Sequence, residues 1–196
     1  VRPSSLTFRI IPEGSARTIA LESGEIDMDL EVDPVNASRV GKNPLLSLVE
    51  TLSPKIEYVS MNQRVGPFSN KMVRQAINHA VDRKAIFDVV AEGRGKVTNS
   101  VMNAKIIGYN GNVKTYEYNP EKAKKLLADA GYPNGFNTVI SVSGDMRNRT
   151  AQLIQAFLKE VGINATIENL EWATYLEKVN RGEYEIFIMS YNNTTG

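Results

Sequence analysis

"NTVISVSGDMRNRTAQLIQAFLKEVGINATIENLEWATYLEKVNRGEYEIFIMSY", residues 137–191, is the stretch from which the fold can be read. Its hydrophobic period changes in a regular order. β-Branched residues dominate 137–143, and a polar loop, Gly144 to Thr150, follows. Leu153, Ile154, Phe157, Leu158 and Val161 then recur at helical spacing until Gly162. A second strand over 163–170 leads to a helix over 172–180, which Gly182 closes, and a third strand begins at Ile186. Strands separated by helices in this way are expected to pair in parallel, with the helices covering the sheet. Ile186, Phe187, Ile188 and Met189 form a continuous apolar run, the pattern of a strand buried on both faces. Open α/β sheets bind ligands beyond the carboxyl ends of such strands. Ser190, Tyr191, Asn192, Asn193 and Thr194 are therefore the first candidate site.

Upstream, "YNPEKAKKLLADAGYPNG" reads as a helix with its signals in place. Asn119 caps it, Pro120 takes the first turn, Glu121 faces the positive end of the dipole, and Gly131 and Pro133 stop it. Ala123, Leu126, Leu127 and Ala130 would be its buried side. Before it, Met72, Val73, Ala76, Ile77 and Ala80 make one apolar stripe. Asp82 then caps a second helix with Ala85, Ile86, Val89 and Val90 inward. Strands are expected over 6–11, 45–50 and 55–62, and a helix over 13–24 carrying Ala16, Ile19, Ala20 and Ser23 on one face. "EIDMDLEVD" at 25–33 alternates strictly, with Ile26, Met28, Leu30 and Val32 on one side and carboxylates on the other, and predicts a half-buried strand. A calcium loop would need a glycine at position 32 and a glutamate at position 38, where the chain has Val32 and Ser38. The acidic side is read as a solvated face.

The chain has 196 residues, enough for one well-buried domain without disulfide or metal staples. With 23 Lys and Arg against 22 Asp and Glu, it lacks the basic excess of a nucleic-acid partner. It has no cysteine and one histidine, which rules out a thiolate nucleophile, a Cys-based zinc site and a His-rich metal site within these residues. His79 falls at the edge of the stripe on 72–80 and is read as structural. No Walker loop, G-x-S-x-G, H-E-x-x-H or G-x-G-x-x-G is present, and no cofactor is expected. No apolar run approaches the roughly 20 residues of a membrane span. Val1 is not a natural start, so the chain reads as a piece of a longer one.

Four stretches carry a resemblance: "FRIIPEGSARTIALESGEIDM", "YVSMNQRVGPFSNKMVRQAINHAVDRKAI", "YNPEKAKKLLADAGYPNGF" and "GINATIENLEWATYLEKVNRGEYEIFIMSY". In this order they resemble the extracytoplasmic solute-binding proteins of ABC importers, the oligopeptide, dipeptide and nickel-chelate binders. "VRQAINHAVDRKAI" is the most specific of these signatures, and its residues are what two packed helices need. The resemblance implies an α/β fold, one lobe of a two-lobed clamp with a mixed, largely parallel sheet flanked by helices. Residues 1–196 would form a single α/β domain, most of the second lobe, without the N-terminal lobe or the C-terminal return.

The resemblance further implies a substrate-binding component, not an enzyme. Such a component captures small peptides outside the cytoplasm, in the periplasm or at the cell surface through a lipid anchor outside these residues. Its lobes close by hinge motion, and the closed form is presented to a membrane permease. A monomer with no nucleic-acid partner is expected. Within the family, a metal chelate, haem or a glutathione-like ligand is the alternative to peptide. Outside it stand a sensor or interaction module and a carboxylate-based enzyme domain.

Site residues follow by position. In peptide binders an aromatic residue follows the strand matching 186–190, and here it is Tyr191. Three residues on, an aspartate commonly pairs with the peptide α-ammonium. Thr194 stands there and offers a neutral hydroxyl in place of a charge-assisted partner. Arg147 or Arg149, in the 144–150 loop, could hold a ligand carboxylate, and Asn62 is a candidate at the hinge.

Overall fold

A computed structural model describes residues 3–51, 53, 55–100, 102, 104 and 106–192 of the chain. The residues pack as two compact units, 1–51 and 52–196.

The second unit carries the sheet. Its elements run β1 (Lys55–Met61), a 3-10 turn (Gly66–Ser69), α3 (Lys71–Ala80), α4 (Arg83–Val90) and α5 (Pro120–Asp129). β2 (Phe136–Val142), α6 (Asp145–Glu160), β3 (Ile163–Asn169), α7 (Trp172–Arg181) and β4 (Ile186–Asn192) follow. The strand order is β1-β4-β2-β3. β2 pairs in parallel with β3 and with β4, whereas β1 runs antiparallel to β4, so the sheet is mixed and largely parallel. The apolar run at 186–188 is buried, as its pattern predicts, because β4 is an interior strand.

One face of the sheet holds the main core. Ile140, Val142, Ile163, Ile186 and Ile188 meet Val73, Ala76, Ile77 and Ala80 of α3, Ala123 and Leu127 of α5, and Ala151, Ile154 and Leu158 of α6. The opposite face follows from strand alternation: Ser141 lies between Ile140 and Val142, and Glu168 follows core-facing Ile167. Lys178 of α7 pairs with Glu168, so α7 covers that second face. The crossover topology requires this. β2 to β3 and β3 to β4 step in opposite directions across the sheet, and right-handed connections then put α6 and α7 on opposite sides.

Local signals place the helices well. Asn70, Asp82 and Asn119 each cap a helix by accepting from backbone N–H groups, those of Met72, of Lys84 and Ala85, and of Lys122. His79 is buried and structural: Nδ1 lies 2.8 Å from the Glu117 carbonyl, and the ring meets Tyr116 edge-on. Two expectations for this unit change. α4 buries none of its side chains fully; Ile86 packs on the core, but Val89 is exposed. The polar stretch 144–150 is a loop only at Gly144, because α6 begins at Asp145.

The first unit departs further from its pattern. It contains α1 (Gly14–Glu22) and α2 (Pro34–Lys42), and its described residues form no strand. Segments 6–11 and 45–50 are strand-like in composition but have no ladder partner here, and Leu6, Phe8, Ile10, Leu45 and Val49 are exposed. β-Propensity measures fit to a pleated, half-buried surface, and such a surface needs a neighbouring strand. Segment 25–33 is instead bent around Arg17. That guanidinium donates to the Ile11, Pro12 and Glu31 carbonyls and pairs with Asp29 at 3.4 Å and Asp33 at 3.6 Å. Two of the carboxylates read as a solvated face thus converge on one cation, and Met28 and Leu30 face water. On α1 the buried side is Thr18 and Ala20, and Ile19 is exposed.

Candidate functional site

Parallel pairing brings the carboxyl ends of β2, β3 and β4 to one edge of the sheet. β1 runs the other way, so its amino end reaches the same edge: Lys55 lies opposite Asn192, Ile56 opposite Tyr191 and Glu57 opposite Ser190. α6 and α7 both start there, directly after β2 and β3. Side chains from four separate segments therefore converge.

Arg147, in the first turn of α6, is the centre of that convergence. Nη1 donates to the Ser143 carbonyl at 3.2 Å and Nη2 to Ser190 Oγ at 3.0 Å. The guanidinium carbon stands 5.5 Å from the centre of the Trp172 ring, a cation–π distance. Nε lies 3.6 Å from Glu57 Oε2, too far for a hydrogen bond, and it is buried with no hydrogen-bond partner among the described residues. Only two of the five guanidinium N–H groups are thereby satisfied. The side chain is 17% exposed, so the group is held but can still be reached.

The support beneath is rigid. Trp172 packs on Tyr175 with ring centres 5.7 Å apart. Tyr175 is fully buried and donates its hydroxyl to the Ile188 carbonyl at 2.6 Å, which ties α7 to β4. Burial pushes the Tyr175 phenol up to about 12, with Arg147 pulling the other way. Further along the same face, the Glu168 carboxyl lies below its ordinary value because Lys178 bonds to it. Burial opposes that effect, and a hydrogen bond from Ser141 adds to it.

The candidates from sequence fall as follows. Ser190 and Arg147 are in direct contact, and Tyr191 and Asn192 lie exposed at the end of β4. Arg149 is exposed on α6. Asn193 and Thr194 lie outside the described residues. Asn62 is at the opposite end of the sheet, since Met61 pairs with Ile186. Its side-chain amide donates to the Gly182 and Tyr184 carbonyls and its oxygen accepts from Arg64 N, so it fastens β1 to the turn before β4.

Trp172 and Glu57 were missed. The rule that pointed past β4 also points past β3, where the only Trp of the chain stands, so Trp172 could have been found. Glu57 carried no signal, because its place depends on the register between β1 and β4. Two grooves, of about 360 and 350 Å³, lie away from Arg147, one beside β1 and α3, the other over β2 and α7. Among the described residues no cluster of His, Cys, Asp or Glu could hold a metal ion, and no helix is long and apolar enough to cross a membrane.

A fixed, under-satisfied cation stacked on the Trp172 ring suits binding of an anionic or amide-rich molecule. Known proteins share this architecture. A protein similar to this chain is the heme-binding protein A of Haemophilus influenzae, 34% identical over 97% of the chain and 36% of that protein. Another is the dipeptide-binding protein of Escherichia coli, 31% identical over 98% of the chain and 37% of that protein. Among solved structures, the periplasmic binding protein DppA from Helicobacter pylori, in complex with the peptide STSA, is similar with a TM-score of 0.90. It is 36% identical, over 94% of the chain and 36% of that protein. The chain thus spans a little over a third of the length of these relatives. The family described as bacterial extracellular solute-binding proteins, family 5, middle portion, matches over residues 1–196, and the chain belongs to that family.

Proposed function

We propose that the chain is part of the substrate-binding component of an ABC importer. It would capture peptides outside the cytoplasm between two lobes and deliver them to a membrane permease, with no chemistry of its own. Residues 52–196 would supply most of the ligand face of the second lobe. The observation that carries this reading is the Arg147 guanidinium. It is held at the carboxyl edge of the sheet by Ser143, Ser190 and Trp172, and would offer the second N–H of each Nη to a ligand carboxylate. Tyr191 and Trp172, each about half exposed at 46%, would flank the peptide in one half of a closing clamp. A peptide main chain bonds without regard to its side chains, so breadth of ligand is expected. The complex of the Helicobacter pylori relative with STSA favours peptide.

Thermal unfolding of the full protein with STSA, its C-terminal amide and its N-acetyl form tests this. A peptide at a hundred times its dissociation constant should add about 2.7 kcal/mol of stability. The shift is expected for the free acid and should fall at least tenfold in affinity for Arg147→Ala. If no peptide moves the midpoint, the peptide reading fails. The similarity to the Haemophilus influenzae protein then makes haem, whose propionates are also carboxylates, the next ligand to titrate.

A further inference from the structure

Arg147 already has an anion beside it. Glu57 reaches from β1, the strand on the far side of β4 from β2, and brings Oε2 to 3.6 Å from Arg147 Nε. The contact is electrostatic only, since at that distance no hydrogen bond forms. Nor does Glu57 fix the guanidinium in place. The Ser143 carbonyl, Ser190 Oγ and the Trp172 ring hold its two Nη atoms and one face. The Glu57 side chain is 36% exposed at the edge where a ligand would arrive, and Lys55 stands 3.9 Å from its other oxygen. Removing its charge would therefore leave Arg147 positioned and raise the positive potential at the site.

We propose that Glu57 is a specificity-determining residue, a built-in carboxylate that competes electrostatically with the carboxylate of a ligand for Arg147. This rests on the reading of Arg147 as the anchor for a ligand carboxylate. Its consequence is that the site separates acid from amide termini weakly, and accepts ligands that continue past the anchor as a neutral chain. A like charge on the order of 7 Å away, at a dielectric between that of a protein surface and that of water, changes an affinity by roughly tenfold. Neutralising Glu57 should sharpen the preference for a free carboxylate by that factor.

The test uses the full protein and its Glu57→Gln variant, with unchanged thermal midpoints as the folding control. Calorimetric titration with STSA and with its C-terminal amide gives the acid-to-amide affinity ratio. That ratio should rise about tenfold in E57Q and return to near one when Arg147→Gln is added. In parallel, sodium acetate is titrated at constant ionic strength while the Arg147 Nε–H resonance is followed by NMR. The acetate concentration at half-shift should be about tenfold lower in E57Q. A ratio unchanged in E57Q, an equal gain for acid and amide, or weaker acid binding overturns the proposal, the last by making Glu57 a support for Arg147. If neither peptide binds either protein, the peptide reading fails on its own and the acetate titration decides. Equal half-shifts overturn the role of Glu57, and a tenfold difference sustains it.

Discussion

At the scale of single residues, Tyr175 joins the core to the site. It is fully buried, its hydroxyl donates to the Ile188 carbonyl, and its ring backs Trp172 and so Arg147. Tyr175→Phe keeps the packing but leaves that carbonyl without the hydroxyl, and should cost about 1 kcal/mol of stability at neutral pH. The phenol also sets a limit in alkali. Its folded-state value of about 12 stands above the roughly 10 of an unfolded tyrosine. The stability it contributes is therefore fully present below pH about 10 and is lost as pH rises towards 12. Denaturant unfolding of wild type and Y175F from pH 8 to 11.5 should show a steeper decline for the wild type. Parallel declines would mean that Tyr175 does not carry the alkaline loss.

At the scale of elements, the closest approach of a glycine to another stretch of backbone is between the turn before β2 and the turn before β3. Gly135 has φ +72°, and a Cβ built there would lie 1.8 Å from the Gly162 carbonyl oxygen. Both glycines immediately precede strands that pair in parallel from Phe136 opposite Ile163 onward, so this contact starts the β2–β3 ladder. Gly135→Ala must shift backbone as well as strain it, and should cost about 2–4 kcal/mol. Gly131→Ala also places alanine at positive φ, but its Cβ meets nothing within 4 Å. It should cost only about 1 kcal/mol. Chemical denaturation of the two variants separates steric approach from φ strain, and equal losses would remove the argument from close approach.

At the scale of the whole molecule, the two compact units differ in how much apolar surface they bury. Residues 52–196 close one core around Ile140, Leu158, Ile163, Ile186 and Leu127. Among the described residues of 1–51 the buried apolar side chains are Ala20, Ala37 and Val40, while Phe8, Ile10, Met28 and Leu30 are exposed. Opening of the first unit should therefore cost far less than global unfolding. Backbone amides of α1 and α2 should exchange with deuterium at least about a hundredfold faster than those of β4. Equal protection in both would show that the first unit opens only with the second.

What the sequence determined by itself is what neighbours along the chain decide. α5 could be read to its ends because Asn119, Pro120 and Gly131 act on the backbone within a turn of themselves. The order of β2, α6, β3, α7 and β4 was legible because each period spans one element and right-handed crossovers leave few arrangements. The rule for strand ends pointed to Ser190 and Tyr191, and the resemblance to Arg147 or Arg149. Tertiary structure decided whatever needs a partner distant in sequence. Segments 6–11 and 25–33 have the alternation of strands, but a ladder requires a second chain segment, and Arg17 claims the second of them through long-range bonds. Asn62 looked available for a ligand until the Gly182 and Tyr184 carbonyls took its amide. Glu57 enters the site only because an antiparallel β1 sets it opposite Ser190, 133 residues later. Strand register is a cooperative property of the whole sheet, and the electrostatics at the edge are settled only once that register is in place.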